Sequence, residues 1–336
     1  MNYVPFGRTG LKISPLCLGC LNFGPTTCKS ESLGVIERAA ELGINVLDVA
    51  DVYGGGENEQ VVGWALRELG CRDQMIVATK FTGRFADSDS TDPNAEGASR
   101  LHIIRACESS LRRLHIDHID LYQIHSPRYD VATDETLRAL EDLVSAGKIR
   151  YAGSSNDPAW KLIAAIHVAE CSGGARLVSE QPPYNLLDRS VERELLPAAQ
   201  SYDVAVIPWG PLANGMLTSK YNRDILPAGT RFSDRGQTDH FTDAAYRVVD
   251  VVAKLATTRG CTPSQLALAW CRRHPAITSI IIGPRNRSQL EDNFGSLQIE
   301  LSANELATLD RVSPPGSSTI PYYLKTRKDW QPQLFR

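Results

Sequence analysis

The feature that most constrains this chain is an alternation. Short runs rich in apolar and β-branched residues recur along it, and most are followed by a longer segment with helical periodicity. The apolar runs lie at residues 16–19, 45–50, 75–80, 118–125, 150–154, 177–181, 204–209 and 277–283. The periodicity predicts helices over 31–42, 57–69, 101–114, 134–146, 158–169, 191–202, 243–259 and 288–297, with shorter patches at 262–273 and 303–310. Several ends carry their own signals. Gly43 and Gly147 stand where a left-handed C-terminal residue is wanted, Asp157-Pro158 reads as an N-cap followed by proline in the first turn, and Thr133 reads as another N-cap.

Runs that are apolar throughout, rather than alternating, imply strands buried on both faces, the condition of a parallel sheet covered by helices. Eight such units fit a closed (β/α)₈ barrel in count and length. The competing architecture, an open doubly wound sheet, is weakened because no Gly-x-Gly-x-x-Gly follows the first run. Gly54-Gly55-Gly56 follows the second run and lacks that spacing. The expectation is therefore a TIM-barrel α/β fold in which residues 1–336 form one domain. It has a long loop at about 211–240 after the seventh strand and a C-terminal tail at about 311–336.

Composition excludes several classes of function. At 336 residues, 42% apolar and 22% charged, the chain has enough apolar material for a large core. A formal net charge of −3 and the lack of long like-charge runs give no pull toward nucleic acid or an anionic membrane. No apolar run is long enough to span a bilayer, and the start Met1-Asn2-Tyr3-Val4-Pro5 lacks the basic and apolar regions of a secretory leader. The expected location is the cytoplasm. The eight cysteines are scattered, and Cys17-x-x-Cys20 has no second Cys/His arm to complete a metal site, so no metal is expected.

In a barrel of this kind, chemistry gathers where strands end and loops begin. The second run ends at Asp48 with Tyr53 just beyond, the third at Lys80, the fourth at His125, and the fifth at Ser154-Ser155-Asn156. The sixth ends at Glu180-Gln181, the seventh at Trp209, and the eighth leads to Arg285. Taken singly, each has a plain structural reading: Lys80 as a snorkelling strand end, His125 as a hydrogen-bonded core histidine, Asp48 as a turn cap, Tyr53 as a loop aromatic. An acid, a phenol, an ammonium and an imidazole at neighbouring strand ends point instead to proton transfer. A phenol with a pKa near 10 is a poor acid–base group at neutral pH, and a nearby ammonium favours its ionised form. Lys80 is placed to do this for Tyr53, Asp48 to hold Lys80, and His125 to bind and polarise a substrate oxygen.

These residues resemble the aldo-keto reductases, and the resemblance runs from Val4 to about Leu297. It is carried by Leu47-Asp48-Val49-Ala50-Asp51-Val52-Tyr53-Gly54, by Ile119-Asp120-Leu121-Tyr122-Gln123-Ile124-His125, by the stretch from Gly147-Lys148-Ile149 to Ser154-Ser155-Asn156, and by Trp209-Gly210-Pro211-Leu212. The resemblance implies a (β/α)₈ barrel, extended NADPH, and hydride transfer between the nicotinamide and a carbonyl, with Tyr53 as proton donor and Asp48, Lys80 and His125 beside it. It places Ser155, Asn156 and Gln181 on the carboxamide and Trp209 against the nicotinamide ring. Gly210, Pro211, Leu212, Asn214, Gly215 and Lys220 match the loop around the pyrophosphate. Gly283, Arg285, Gln289, Asp292 and Asn293 match the adenosine end, where Arg285 and Arg287 would clamp a 2′-phosphate. Val49 stands where threonine is common and Trp209 where many members carry tyrosine. With the segment from Pro182 to Arg189, Trp209 is similar to the branch that includes bacterial reductases and the β-subunits of voltage-gated potassium channels.

The expected partner is a small-molecule carbonyl substrate, with a keto-sugar or another polar carbonyl suggested by the polar loop at 82–100, which carries Asp87, Asp89, Asp92 and Glu96 against Arg84 and Arg100. Tyr322, Tyr323 and Trp330 in the tail either wall the pocket or pack outside the barrel. Two other functions stay open: an NADPH-binding regulatory subunit resembling the channel β-subunits, and a barrel without a cofactor. A homo-oligomer is compatible with the sequence, but nothing in it calls for one.

Overall fold

The structure, a computed structural model, describes residues 1–84, 91–221 and 241–320. A short antiparallel hairpin, β1 (Val4–Pro5) and β2 (Lys12–Ile13), precedes eight parallel strands: β3 (Leu16–Gly19), β4 (Val46–Asp48), β5 (Ile76–Phe81), β6 (Ile119–Ile124), β7 (Ile149–Ser155), β8 (Leu177–Gln181), β9 (Ala205–Val206) and β10 (Ile280–Ile282). The sheet runs β10-β3-β4-β5-β6-β7-β8-β9, so strands consecutive in sequence lie side by side. Its ends meet. Val206 bridges Ile277 in parallel, Thr278 N donates to Val206 O at 2.9 Å, and Ile281 N donates to Pro208 O at 3.0 Å. The eight expected strands are therefore present, and they close on themselves as a (β/α)₈ barrel.

The helices are α1 (Lys29–Glu41), α2 (Glu57–Leu69), α3 (Arg100–Leu114), α4 (Thr133–Ser145), α5 (Ala159–Ser172), α6 (Leu195–Ser201), α7 (Asp243–Arg259), α8 (Pro263–Arg272), α9 (Arg287–Gly295) and α10 (Ala303–Val312). Their buried faces and the outward faces of the strands form one large apolar layer that includes Leu16, Leu18, Leu47, Val77, Tyr122 and Ala152. The inward faces form a second cluster with Cys17, Val46, Ala78, Leu121, Val178, Ala205, Ile207 and Ile281. Phe6 and Ile13 of the hairpin join that inner cluster, so the start of the chain plugs one end of the barrel. Gly7 makes the plug fit: it has φ of 54°, and an added Cβ would meet Asp203 O at 2.6 Å.

Side chains on a strand alternate faces, so residues two apart share the interior. Above Val46, Ala78 and Leu121 on that face stand Asp48, Lys80 and Gln123. The apolar plug thus fills the lower barrel, and the upper layer is left to polar side chains.

Several local expectations need correction. Asp157 does not cap α5 with its side chain; Pro158 occupies the cap position, and Asp157 is buried against β8. Thr133 is the first residue of α4 rather than its cap, which is Ala132. The helix expected over 191–202 is split into a 3₁₀ turn, Ser190–Glu192, and α6. Glu192 is drawn away by Tyr184 Oη at 2.6 Å and Arg189 Nε at 2.8 Å, and Glu194 leaves helical geometry at φ of −137°. Gly43 and Gly147 do take left-handed conformations at the ends of α1 and α4. No helix among the described residues is long and apolar enough to cross a membrane.

Candidate active site

Lys80 is the centre of the upper layer. Its side chain is wholly buried, and its Nζ donates to Asp48 Oδ2 at 2.7 Å, to Val49 O at 2.9 Å and to Tyr53 Oη at 3.3 Å. The ammonium also lies 5.0 Å from the centre of the Tyr53 ring. Burial works against its charge, but Asp48 and then Tyr53 outweigh that and hold its pKa above the ordinary lysine value. The lysine is thus a fixed cation between a carboxylate and a phenol. A snorkelling strand end would instead carry its ammonium out to water.

Tyr53 reaches this point from the turn after β4. It is half-buried, and its ring stands edge-on to His125 with centroids 5.7 Å apart and planes at 79°. Phenol and imidazole therefore share the rim above Lys80. Asp48 is held from a second side by Gln181, whose Nε2 donates to Oδ1 at 2.8 Å and lies 3.3 Å from Gln123 Oε1. Gln123, within the stretch Ile119 to His125, carries no role that the sequence alone assigns. Its place two residues beyond Leu121 on the interior face is the signal that identifies it.

The ends of β7 and β8 form the adjoining wall. Ser155 Oγ donates to Gln181 O at 2.8 Å, and Asn156 Nδ2 donates to His125 O at 3.0 Å and Ser155 Oγ at 2.9 Å. Trp209 Nε1 donates to Asn156 Oδ1 at 3.0 Å. Asn156 thus ties together the loops that carry His125 and Trp209. It does so from a left-handed backbone, φ of 64°, and Thr82 just beyond β5 has φ of 108°. Non-glycine residues rarely hold such conformations, and they concentrate at functional sites.

Behind this wall, on the outer side of the sheet, lie two carboxyl groups that sequence reasoning did not pair. Glu180 Oε2 accepts from Ser154 Oγ at 2.5 Å, and Glu180 Oε1 accepts from Asp157 N at 3.1 Å. Burial pushes both groups up, Asp157 to about 7 and Glu180 well above the carboxylate range.

The remaining expected residues fall in two further groups. After β9, Gly210, Ala213, Asn214, Gly215 and Ser219 have positive φ, three of them in a row, so the chain turns tightly here. The turn is closed by Ala213 N donating to Gly210 O at 2.9 Å and Gly215 N donating to Leu212 O at 2.8 Å. Pro211 is buried, Leu212 half-buried, and Lys220 folds back so that a Cβ on Gly215 would meet its Cε at 2.6 Å. After β10, Gly283 O accepts from Asn22 Nδ2 at 3.2 Å, Arg285 N donates to Gln289 Oε1 at 2.9 Å, and Asn293 is buried. Asp292 accepts from Thr262 Oγ1 at 2.9 Å, which ties it to the start of α8. Arg287 turns toward α1, donating to Gly34 O at 2.8 Å and pairing with Glu37.

Cys17 and Cys20 lie in different apolar layers, the first inside the barrel and the second between sheet and helices. Among the described residues, no group of three or more His, Cys, Asp or Glu side chains could hold a metal ion. Asp87, Asp89, Tyr322, Tyr323 and Trp330 lie outside the described residues.

A flat conjugated cofactor with a carboxamide, a pyrophosphate and an adenosine end suits this donor set. Neutral amide and hydroxyl groups stand at Ser155, Asn156 and Gln181, an indole at Trp209, a tight glycine-containing turn and the Lys220 ammonium at 210–220, and a guanidinium at Arg285.

Comparison with known proteins gives one consistent answer. Residues 15–314 match the Aldo/keto reductase family. The chain is 36% identical over 329 residues to an uncharacterized oxidoreductase, YrpG, of Bacillus subtilis, covering 96% of this chain and 99% of that protein. It is 32% identical over 342 residues to versiconal hemiacetal acetate reductase of Aspergillus parasiticus, covering 94% and 97%. It is also 33% identical over 307 residues to a probable voltage-gated potassium channel subunit beta of Arabidopsis thaliana, covering 89% and 92%.

Proposed function

This chain belongs to the aldo/keto reductase family of NAD(P)H-dependent oxidoreductases, and from that premise we propose that it is an NADPH-dependent reductase that converts a polar aldehyde or ketone to an alcohol, with Tyr53 as the proton donor. The observation that carries this reading is the position of Lys80 Nζ, within hydrogen-bond reach of both Asp48 and Tyr53 in a buried setting.

A nicotinamide held at this site would supply the hydride. Ser155, Asn156 and Gln181 would hold its carboxamide, and Trp209 would lie against the ring and fix which face reacts. The residues then divide the proton work. His125 binds the carbonyl oxygen and polarises it. As the carbonyl carbon gains the hydride, Tyr53 gives its hydroxyl proton to the oxygen, and the resulting phenolate is stabilised by the Lys80 ammonium until solvent restores the proton. Asp48 keeps Lys80 charged and in place. Gly210, Pro211, Leu212, Asn214, Gly215 and Lys220 would hold the pyrophosphate. Gly283, Gln289, Asp292 and Asn293 would line the adenosine end, and Arg285 would meet the 2′-phosphate that distinguishes NADPH from NADH. Arg287 contributes less to that choice, because its guanidinium is engaged by Glu37.

A hydroxylated substrate such as a keto-sugar suits the polar loop that follows β5, where Arg84 Nη1 donates to Asp92 O at 3.0 Å and Arg105 pairs with Asp92 at 3.4 Å. A cofactor-sensing role like that of a channel subunit rests on similarity alone, and the complete acid–ammonium–phenol set favours turnover. The test is a screen of purified protein against keto-sugars, pyridoxal, quinones and simple aldehydes, following NADPH and NADH oxidation. Multiple turnovers with a polar carbonyl, faster with NADPH, are expected; absence of turnover across the panel with tight NADPH binding would favour the regulatory reading.

A further inference from the structure

Tyr53 is joined to α2 by three glycines in a row, Gly54, Gly55 and Gly56, with φ of 57°, 60° and 90°. Such a run supplies the turn but little stiffness. The phenol must nevertheless meet Lys80, which is fixed on a strand of the barrel. Immediately beyond the glycines, Asn58 and Glu59 are fully buried in the first turn of α2. Asn58 Nδ2 donates to Cys20 O at 2.5 Å and Phe23 O at 3.1 Å, pinning that turn to the end of β3. Glu59 Oε1 accepts from Thr79 Oγ1 at 2.6 Å, and Oε2 accepts from Arg113 Nε at 2.8 Å. Arg113 is anchored on α3 by Ser109 Oγ at 2.5 Å and Ser110 Oγ at 3.3 Å.

Thr79 directly precedes Lys80 in β5. Glu59 therefore connects the strand that carries the ammonium to the first turn of the helix that follows the phenol, just beyond three glycines that add little stiffness of their own. Asp51, two residues before Tyr53, is also fully buried, and neither of its carboxyl oxygens accepts a hydrogen bond of ordinary geometry. It lies in the field of Glu59 and Arg113, and burial first, then Glu59, pushes its carboxyl well above the carboxylate range. Buried ion pairs are weak sources of stability compared with apolar packing, and their best-attested use is to fix one arrangement among several. Here the arrangement they fix is the one that brings Tyr53 to Lys80.

We infer that Glu59, gripped by Thr79 and Arg113, is a positioning residue that sets the Tyr53 hydroxyl against the Lys80 ammonium. This rests on the reading that Tyr53 and Lys80 form the reacting pair.

The test uses Thr79→Val, which removes the hydroxyl at nearly constant shape and leaves Tyr53, Lys80 and the Glu59–Arg113 pair in place, and Thr79→Ser, which keeps the hydroxyl. Misplacement of a reacting group by a fraction of an ångström to an ångström lowers rates by about ten- to a hundredfold. Thr79→Val should lower kcat by about tenfold at least, with KM for NADPH unchanged, and Thr79→Ser should restore kcat to within about twofold. Thermal unfolding of both variants and Tyr53→Phe are measured alongside. If Tyr53→Phe is inactive but Thr79→Val has wild-type kcat, or if Thr79→Ser fails to rescue, the inference is overturned while the catalytic reading stands. If Tyr53→Phe turns over at the wild-type rate, the catalytic reading fails and this inference falls with it.

Discussion

Gln181 Nε2 donates to Asp48 Oδ1 at 2.8 Å, across the barrel mouth from the Lys80 ammonium that binds the other oxygen of the same carboxylate. A residue assigned to the cofactor thus also holds the residue that anchors the lysine, so the two halves of the proposed site are not independent. Gln181→Leu should weaken NADPH binding and lower kcat together. Leaving a buried carboxylate oxygen without that donor costs about 1–3 kcal/mol. Cofactor titration and steady-state rates on the same preparation check this; a change in cofactor affinity alone would separate the two roles.

Lys80→Met removes a buried cation and leaves Asp48 buried beside apolar atoms. Breaking a buried pair from one side typically costs about 3–5 kcal/mol. The variant should lose that much in urea unfolding, and turnover with it. The double replacement Lys80→Met with Asp48→Leu should recover part of the stability and none of the activity, because an apolar pair tolerates burial and a phenol without its ammonium is a poor proton donor at neutral pH.

Trp209 holds Asn156 through its indole N–H at 3.0 Å and is half-buried at the end of the wall. Stacking of the nicotinamide on this ring predicts that NADPH quenches tryptophan emission. Trp209→Phe should abolish most of the quench and weaken binding. An unchanged quench in that variant would place the ring elsewhere.

Acidity should act through Asp157, whose pKa burial raises to about 7. A carboxyl that is harder to ionise when folded binds its proton more tightly in the native state than in the unfolded chain. Its stabilising contribution is therefore present below the unfolded value, near 4, declines as pH rises, and is gone above about 7. Thermal unfolding should show stability falling between about pH 4 and 7, and Asp157→Asn should make that fall smaller, the remainder belonging to Glu180, which burial also pushes up. A variant with the wild-type pH dependence would exclude Asp157 as the source.

The barrel was legible because burial on both faces of a parallel strand leaves an unbroken apolar run, and each such run in this chain became a strand. The polar cluster at the strand ends was legible for a related reason. A charged residue at the end of such a run, as at Asp48 or Lys80, is costly unless paired, so several of them at neighbouring strand ends already imply a common meeting point. What stayed hidden depends on contacts distant in sequence. Asp157 before Pro158 reads as a helix cap, but β8 claims its backbone N–H for Glu180. The 191–202 segment has helical periodicity, but Arg189 and Tyr184 take Glu192 out of it. Glu59 and Arg113 look like ordinary charged residues in amphipathic helices, and only the packing of α2 on α3 and β5 shows that they are buried against each other.

The central claim is that Tyr53 supplies the proton while the rest of the site binds cofactor. It is tested most directly by Tyr53→Phe, comparing NADPH affinity with the single-turnover rate on a carbonyl that the wild-type protein reduces. The account predicts cofactor binding within about twofold of wild type and a rate lower by about 10²- to 10⁴-fold, the usual contribution of a positioned acid. A wild-type rate in the phenylalanine variant would contradict it.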